Sequence, residues 1–171
     1  RVLQEVKTNF DTDLFVPILR DIKGGNESAR RIVADHLRAA VFLLSDGILP
    51  SNEGRGYILR RLIRRADLYG QKLGYNQPFL HKLVPAVVEI QKSQYPELSE
   101  KAASLTNYLK IEEDGFFVTL ESGLKILNDL FTKHVKVLPG PEIFKLHDTF
   151  GFPIELTREI AFEKQIALDE A

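Results

Sequence analysis

Between Ser51 and Ala66 the chain reads SNEGRGYILRRLIRRA, which sets Arg55, Arg60, Arg61, Arg64 and Arg65 within eleven residues. Guanidinium groups bind anions. The planar fork of an arginine donates two hydrogen bonds to one phosphate or carboxylate, where a lysine offers only a point charge. Spaced four apart on a helix, Arg60 with Arg64 and Arg61 with Arg65 repel by roughly 0.2–0.5 kcal/mol per pair. Local helix stability therefore does not account for the cluster, and some anion must offset it: acids elsewhere in the fold or a phosphate backbone. A solvated face is the bland reading, but such faces usually mix both signs. One-signed arginine clusters are a footprint of nucleic acid.

The glycines of NEGRG invite comparison with phosphate loops, in which backbone N–H groups approach an anion at a helix start. Gly54 and Gly56 match neither the P-loop nor the dinucleotide fingerprint, and no strand precedes them. They either supply turn geometry alone or hold Asn52 and Arg55 in fixed directions. Other chemistry finds little support. His36, His81, His134 and His147 lack the spacing of metal ligands. Glu112, Glu113 and Asp114 are consecutive and cannot share one helix face, so paired-carboxylate catalysis is not indicated. Thr119 and Ser122 have no evident base. There is no cysteine, hence no disulfide, thiolate or Cys-based zinc site. Asp148, from local sequence, reads as a helix-end or turn residue.

The elements that must position these residues are helices. Asp11 or Thr12 caps a first helix ending near Lys23, with Pro17 bending or delaying it. Ser28 caps a second, in which Ile32, Val33, Leu37, Ala40, Val41 and Leu44 recur at helical spacing up to Gly47. After the loop Ile48 to Gly56, the arginine helix runs from about Tyr57 to Tyr69. Its Ile58, Leu59, Leu62, Ile63 and Ala66 fall in one sector, with Arg60, Arg61, Arg64 and Arg65 opposite. Further helices are predicted at Phe79–Gln91 (kinked at Pro85), Ser99–Glu113, Phe116–Lys133 and Pro141–Leu146, and another begins near Pro153. Phe150, Phe152 and Ile154 are expected to wedge the Gly151 turn into the core. The predicted class is all-α, an irregular multi-helix bundle with at most one short β-like segment near 135–138.

At 171 residues and 44% hydrophobic content the chain has the size and composition of one ordinary domain. It lacks an apolar run long enough for a membrane helix, and the expected compartment is the cytoplasm. Zero Met and an initial Arg1 read as a fragment of something longer. The net charge of -1 conceals an uneven distribution, because Arg55 to Lys72 holds six Lys or Arg against the single acid Asp67.

Read together, ADHLRAAVFLLSDGILPSNEGRGYILRRLIRRA and FKLHDTFGFPIELTREIA closely resemble the alanyl-tRNA synthetases. RVLQEVKTNFDTDLF is similar to the segment following the last motif of that family's class II catalytic domain, and EEDGFFVTLESGLKIL to the long helix of its central region. The resemblance implies that residues 1–171 form a helical tRNA-recognition domain, with 1–23 the trailing edge of the catalytic domain. It implies that the region reads the acceptor stem of alanine tRNA, above all a G·U wobble pair. Asn52 and Asp148 occupy the positions of the family's two reading residues. This chain has His147-Asp148-Thr149-Phe150-Gly151 where Tyr-Asp-Thr-Tyr-Gly is commoner, and the Asp is retained. Arg55, Arg60, Arg61, Arg64 and Arg65 would hold phosphates, with Arg64 first choice for the family's supporting arginine.

Chemistry agrees with these roles: a wobble pair leaves the guanine amino group without its usual partner in the shallow minor groove, and an amide oxygen of Asn52 and the carboxylate of Asp148 are acceptors for it. By the same resemblance the parent is a ligase that joins alanine to tRNA with ATP and magnesium, with zinc in a separate editing domain. No catalytic residue, metal or cofactor is assigned to this stretch. Its partners would be tRNA and the adjacent catalytic and editing domains, not a membrane. The alternative is a helical scaffold that docks those domains through its basic face.

Overall fold

Asn26 starts one of the two 19-residue helices of the N-terminal half: its side-chain oxygen accepts the N–H of Ala29 at 3.0 Å, a capping geometry that fixes the helix two residues earlier than Ser28 would. The computed structural model that shows this describes residues 1–134 and 136–169. In it Asp11 and Thr12 serve a preceding single turn instead of a long helix. Asp11 accepts from both the backbone N–H and the hydroxyl of Thr8 at 2.8 Å, and Thr12 donates to the Asn9 carbonyl at 2.6 Å. Helix α1 is then short, Val16–Asp21, with Pro17 in its first turn, where a missing N–H costs nothing. Helix α2 spans Glu27–Ser45, α3 Gly54–Lys72 and α4 Leu80–Gln91, the last continuing through Pro85.

Helix α5 runs unbroken from Glu97 to Lys133, where two helices were expected. The apolar register explains the continuity. Leu105, Leu109, Phe116, Leu120 and Leu127 are buried at helical spacing on both sides of Asp114-Gly115, and one interior glycine costs only about 1 kcal/mol. Beyond it lie β1 (Val137–Leu138), α6 (Gly140–Asp148), α7 (Ile154–Glu163) and β2 (Ala167–Leu168). The β-like run therefore finds a parallel partner, with Val137 opposite Ala167 and Leu138 opposite Leu168. Val135, which opened that predicted run, lies outside the described residues. The all-α class holds: this pair is the whole of the sheet among the described residues.

The chain divides into two compact units, Arg1–Asp114 and Gly115–Ala171, the division falling within α5. In the first, Ile18, Val33, Leu37, Val41, Leu59, Ile63, Val84, Val87 and Leu109 build one core, with α2 and α3 the most extensively packed pair. In the second, the N–H groups of Gly151 and Phe152 return to the carbonyls of His147 and Leu146 at 3.0 and 3.1 Å. Gly151 adopts φ +68° to allow this. Of the three residues expected to wedge this turn, Phe152 alone is fully buried, Ile154 is half-buried and Phe150 is exposed. The ring of Phe152 fits because Gly123 of α5 faces it without a side chain.

Candidate nucleic-acid interface

The SNEGRG segment owes its shape to different properties of its two glycines. Gly54 stands at φ +59°, a left-handed conformation, with open space where a side chain would project. Gly56 has ordinary dihedrals but faces the preceding loop so closely that a Cβ would lie 2.2 Å from Ser51 Oγ and 2.3 Å from the Leu49 carbonyl oxygen. Ser51 Oγ in turn donates to the Glu53 carbonyl at 2.7 Å. Turn geometry thus explains Gly54, and close packing of the loop on α3 explains Gly56. Leu59, Ile63 and Ala66 anchor the helix below, fully buried. The predicted apolar sector includes Ile58, which is exposed, and Leu62, which is half-buried.

The arginines divide into two groups. Arg60 and Arg64 are three-quarters covered and converge on Glu112 of α5: Nε of Arg60 lies 3.0 Å from Glu112 Oε1, and Nε of Arg64 donates to the same oxygen at 3.1 Å. For this i,i+4 pair the offsetting anion is an acid of the fold. Arg65 faces inward as well. Its Nη1 meets His36 Nε2 at 3.0 Å, and its guanidinium stacks over Tyr69 at 5.4 Å from the ring centre. A guanidinium only donates, so His36 accepts at Nε2 and carries its proton on Nδ1, toward Asp35 Oδ2 at 3.3 Å. Arg55 and Arg61 are exposed, and among the described residues neither forms an ion pair.

Asn52 is exposed just ahead of α3. Its Oδ1 accepts from Arg60 Nη1, while Arg60 Nη2 donates to the Pro50 carbonyl at 3.4 Å. Because Arg has no acceptor, the amide orientation is set by chemistry: the oxygen faces the arginine. The side chain offered outward as an acceptor thus has one lone pair already engaged, and retains the other together with two N–H donors. Glu112 was dismissed on sequence as part of an acidic run, yet it orders two of the five arginines.

Directly behind this surface sits a buried acid pair that sequence reasoning missed. Glu113 is wholly inaccessible and accepts the backbone N–H groups of Phe79, Leu80 and His81 at 2.8, 2.7 and 2.8 Å, and His81 Nδ1 at 2.7 Å. The N-cap of α4 has no side-chain partner of its own, so Glu113 caps that helix from across the core. Asp67 of α3, equally inaccessible, has its carboxyl pushed well above the usual carboxylate range by burial, then by the adjoining charge of Glu113 and its hydrogen bond to it. No donor reaches either Asp67 oxygen. A neutral Asp67 carboxyl that donates to Glu113 satisfies both observations. A signal existed. Asp67 follows Ile63 by four, and Glu113 lies four after Leu109 and three before Phe116, so each is an acid in an apolar stripe.

Asp148, in the second unit, is the last residue of α6 and is exposed. A carboxylate there faces the partial negative charge of the helix C-terminus, an arrangement that usually costs about 0.3–1 kcal/mol, and among the described residues Asp148 has no ion-pair partner. Helix stability does not explain it. Asn52 and the five arginines lie in the first unit.

The family described as tRNA synthetases class II (A) matches residues 1–171. An alanine-tRNA ligase of Streptococcus sanguinis (strain SK36) is 48% identical over 183 residues, covering 99% of this chain and 21% of that protein. One of Streptococcus pneumoniae (strain Hungary19A-6) is 48% identical over 181 residues, and one of Endomicrobium trichonymphae 47% over 176. The chain spans about a fifth of the length of these curated relatives.

Proposed function

The chain belongs to the class II (A) family of tRNA synthetases, and from that premise we propose that it is the part of an alanine-tRNA ligase that binds the acceptor stem of tRNA and recognises its G·U wobble pair. The observation that carries this reading is the exposed carboxamide of Asn52, held by Arg60 beside two exposed arginines, Arg55 and Arg61, for which the fold supplies no acid among the described residues. Arg55 and Arg61 meet phosphates and position the stem, and contacts of that kind carry no sequence information. Asn52 and Asp148 read base edges. The Asp148 carboxylate is repelled by RNA except where it meets a donor, and the guanine amino group of a wobble pair is such a donor.

ATP, magnesium and zinc belong on this reading to other parts of the enzyme. Among the described residues no group of three or more His, Cys, Asp or Glu converges to hold a metal. No described helix is long and apolar enough to cross a membrane.

Titration of the chain with two hairpin stems that differ only at the wobble pair tests the proposal. The G·U stem binds more tightly, and Asn52→Ala and Asp148→Ala each remove about 1–3 kcal/mol of that preference. Full preference in both variants would sink the assignment. Arg61→Ala and Arg55→Ala instead weaken both stems equally, each lowering the slope of log affinity against log salt by about one. A chain that binds tRNA no better than an acidic protein surface would favour the docking scaffold.

A further inference from the structure

Glu112 stands at the base of a relay: its carboxylate forms an ion pair with Arg60, and Arg60 Nη1 donates to the oxygen of Asn52. The relay is short and one-directional. Glu112 is largely covered and belongs to α5, whereas Asn52 sits in an exposed loop and makes no other side-chain hydrogen bond among the described residues. Arg60 therefore supplies the restraint on the Asn52 amide, and the Glu112 carboxylate, with the Pro50 carbonyl, holds the Arg60 guanidinium in place. Arg64 Nε donates to the same carboxylate oxygen at 3.1 Å. An exposed asparagine without such support samples several rotamers, and ordering it on contact would offset part of the gain from a base-edge hydrogen bond.

We propose that Glu112 is a positioning residue for stem recognition, acting through Arg60 to hold the Asn52 amide in one orientation before RNA arrives. The inference rests on the stem-binding reading given above. It assigns to an acid, which by charge alone opposes RNA, a contribution to specificity. Removal of Glu112 accordingly has effects of opposite sign: an acid that repels phosphate is lost and Arg60 is released from its carboxylate, while Asn52 loses its restraint.

The test uses the 171-residue chain and the same two hairpins, and reads the ratio of their dissociation constants, which partial unfolding does not change. In Glu112→Ala the standard-pair stem binds as well as before or more tightly, and the preference for G·U falls by about threefold or more, part of the roughly tenfold that a base-edge contact supplies. Arg60→Ala lowers the preference equally. In an Asn52→Ala background, Glu112→Ala changes the ratio no further, as required if it acts through that amide. Glu112→Asp, which keeps the charge on a shorter stem, restores part of the ratio. An unchanged ratio in Glu112→Ala, or an equal fall in the Asn52→Ala background, overturns the proposal while leaving the stem-binding reading intact. A parent chain with no preference overturns both.

Discussion

Glu113→Ala is expected to destabilise the chain by about 3–5 kcal/mol in urea denaturation, the range found when one partner of a buried charged network is removed. The alanine leaves three backbone N–H groups at the start of α4 and the His81 ring without their acceptor, and buried orphaned donors each carry a desolvation cost of roughly 1–3 kcal/mol. Glu113→Gln is only a partial remedy, because its amide turns two donors toward donors. Asp67→Asn behaves differently. If a neutral Asp67 carboxyl donates to Glu113, as its raised titration and its lack of any donor require, an asparagine amide can do the same.

The two substitutions separate further with pH. The Asp67 carboxyl in the folded chain titrates well above the 3.8 of the unfolded chain. In the window above 3.8 the folded state thus holds a proton that the unfolded state has released, and stability falls as pH rises. This contribution is fully present below 3.8 and is lost on approach to the raised folded value. Asp67→Asn removes it, so urea midpoints between mildly acidic and alkaline pH should form a flatter profile than in the parent. A steeper or identical profile would show that Asp67 is ionised in the folded chain. Glu113→Ala, by contrast, lowers the midpoint at every pH.

The helical class and most apolar faces are legible in the sequence because helix periodicity is a local property. Leu59, Ile63 and Ala66 fall on one side of α3 by arithmetic alone, and burial follows. Joins between helices were less readable. Asp114-Gly115 looks like a stop, but packing on both sides of it overrides the intrinsic cost of one glycine. The arginine cluster shows the limit most clearly. Its repulsion demands a counter-anion, and two candidates were open. The fold uses an acid for Arg60 and Arg64 and leaves Arg55 and Arg61 exposed, a division that depends on Glu112, about fifty residues later in the chain. Asp67 and Glu113 were readable as acids at core positions, but their pairing across α3 and α5 is a tertiary fact. Motif resemblance located Asn52, and only the structure gives its orientation.

The two glycines of the SNEGRG segment make this dependence on tertiary packing measurable. Gly56 lies within α3, where an alanine would ordinarily stabilise by about 1 kcal/mol through helix propensity. Here the sign reverses. The added Cβ would meet the Leu49 carbonyl oxygen at 2.3 Å and Ser51 Oγ at 2.2 Å, and a backbone oxygen cannot rotate away as a flexible side chain could. The loop ahead of α3 must move, at a cost of about 1–3 kcal/mol for forced overpacking, and Asn52 moves with it. Gly56→Ala should accordingly lower the thermal midpoint and remove the Asn52 share of the preference for the wobble stem, while salt-dependent binding through Arg55 and Arg61 persists. Gly54→Ala is the control. Its Cβ enters open space, so the penalty is only the left-handed conformation at φ +59°, roughly 1–2 kcal/mol, and the loop that carries Asn52 keeps its place. Equal loss of preference in both variants would mean that recognition depends on flexibility of the segment; loss in Gly56→Ala alone follows if the reading amide is held by close contact between the loop and α3. A Gly56→Ala chain that melts above the parent would refute the close approach itself.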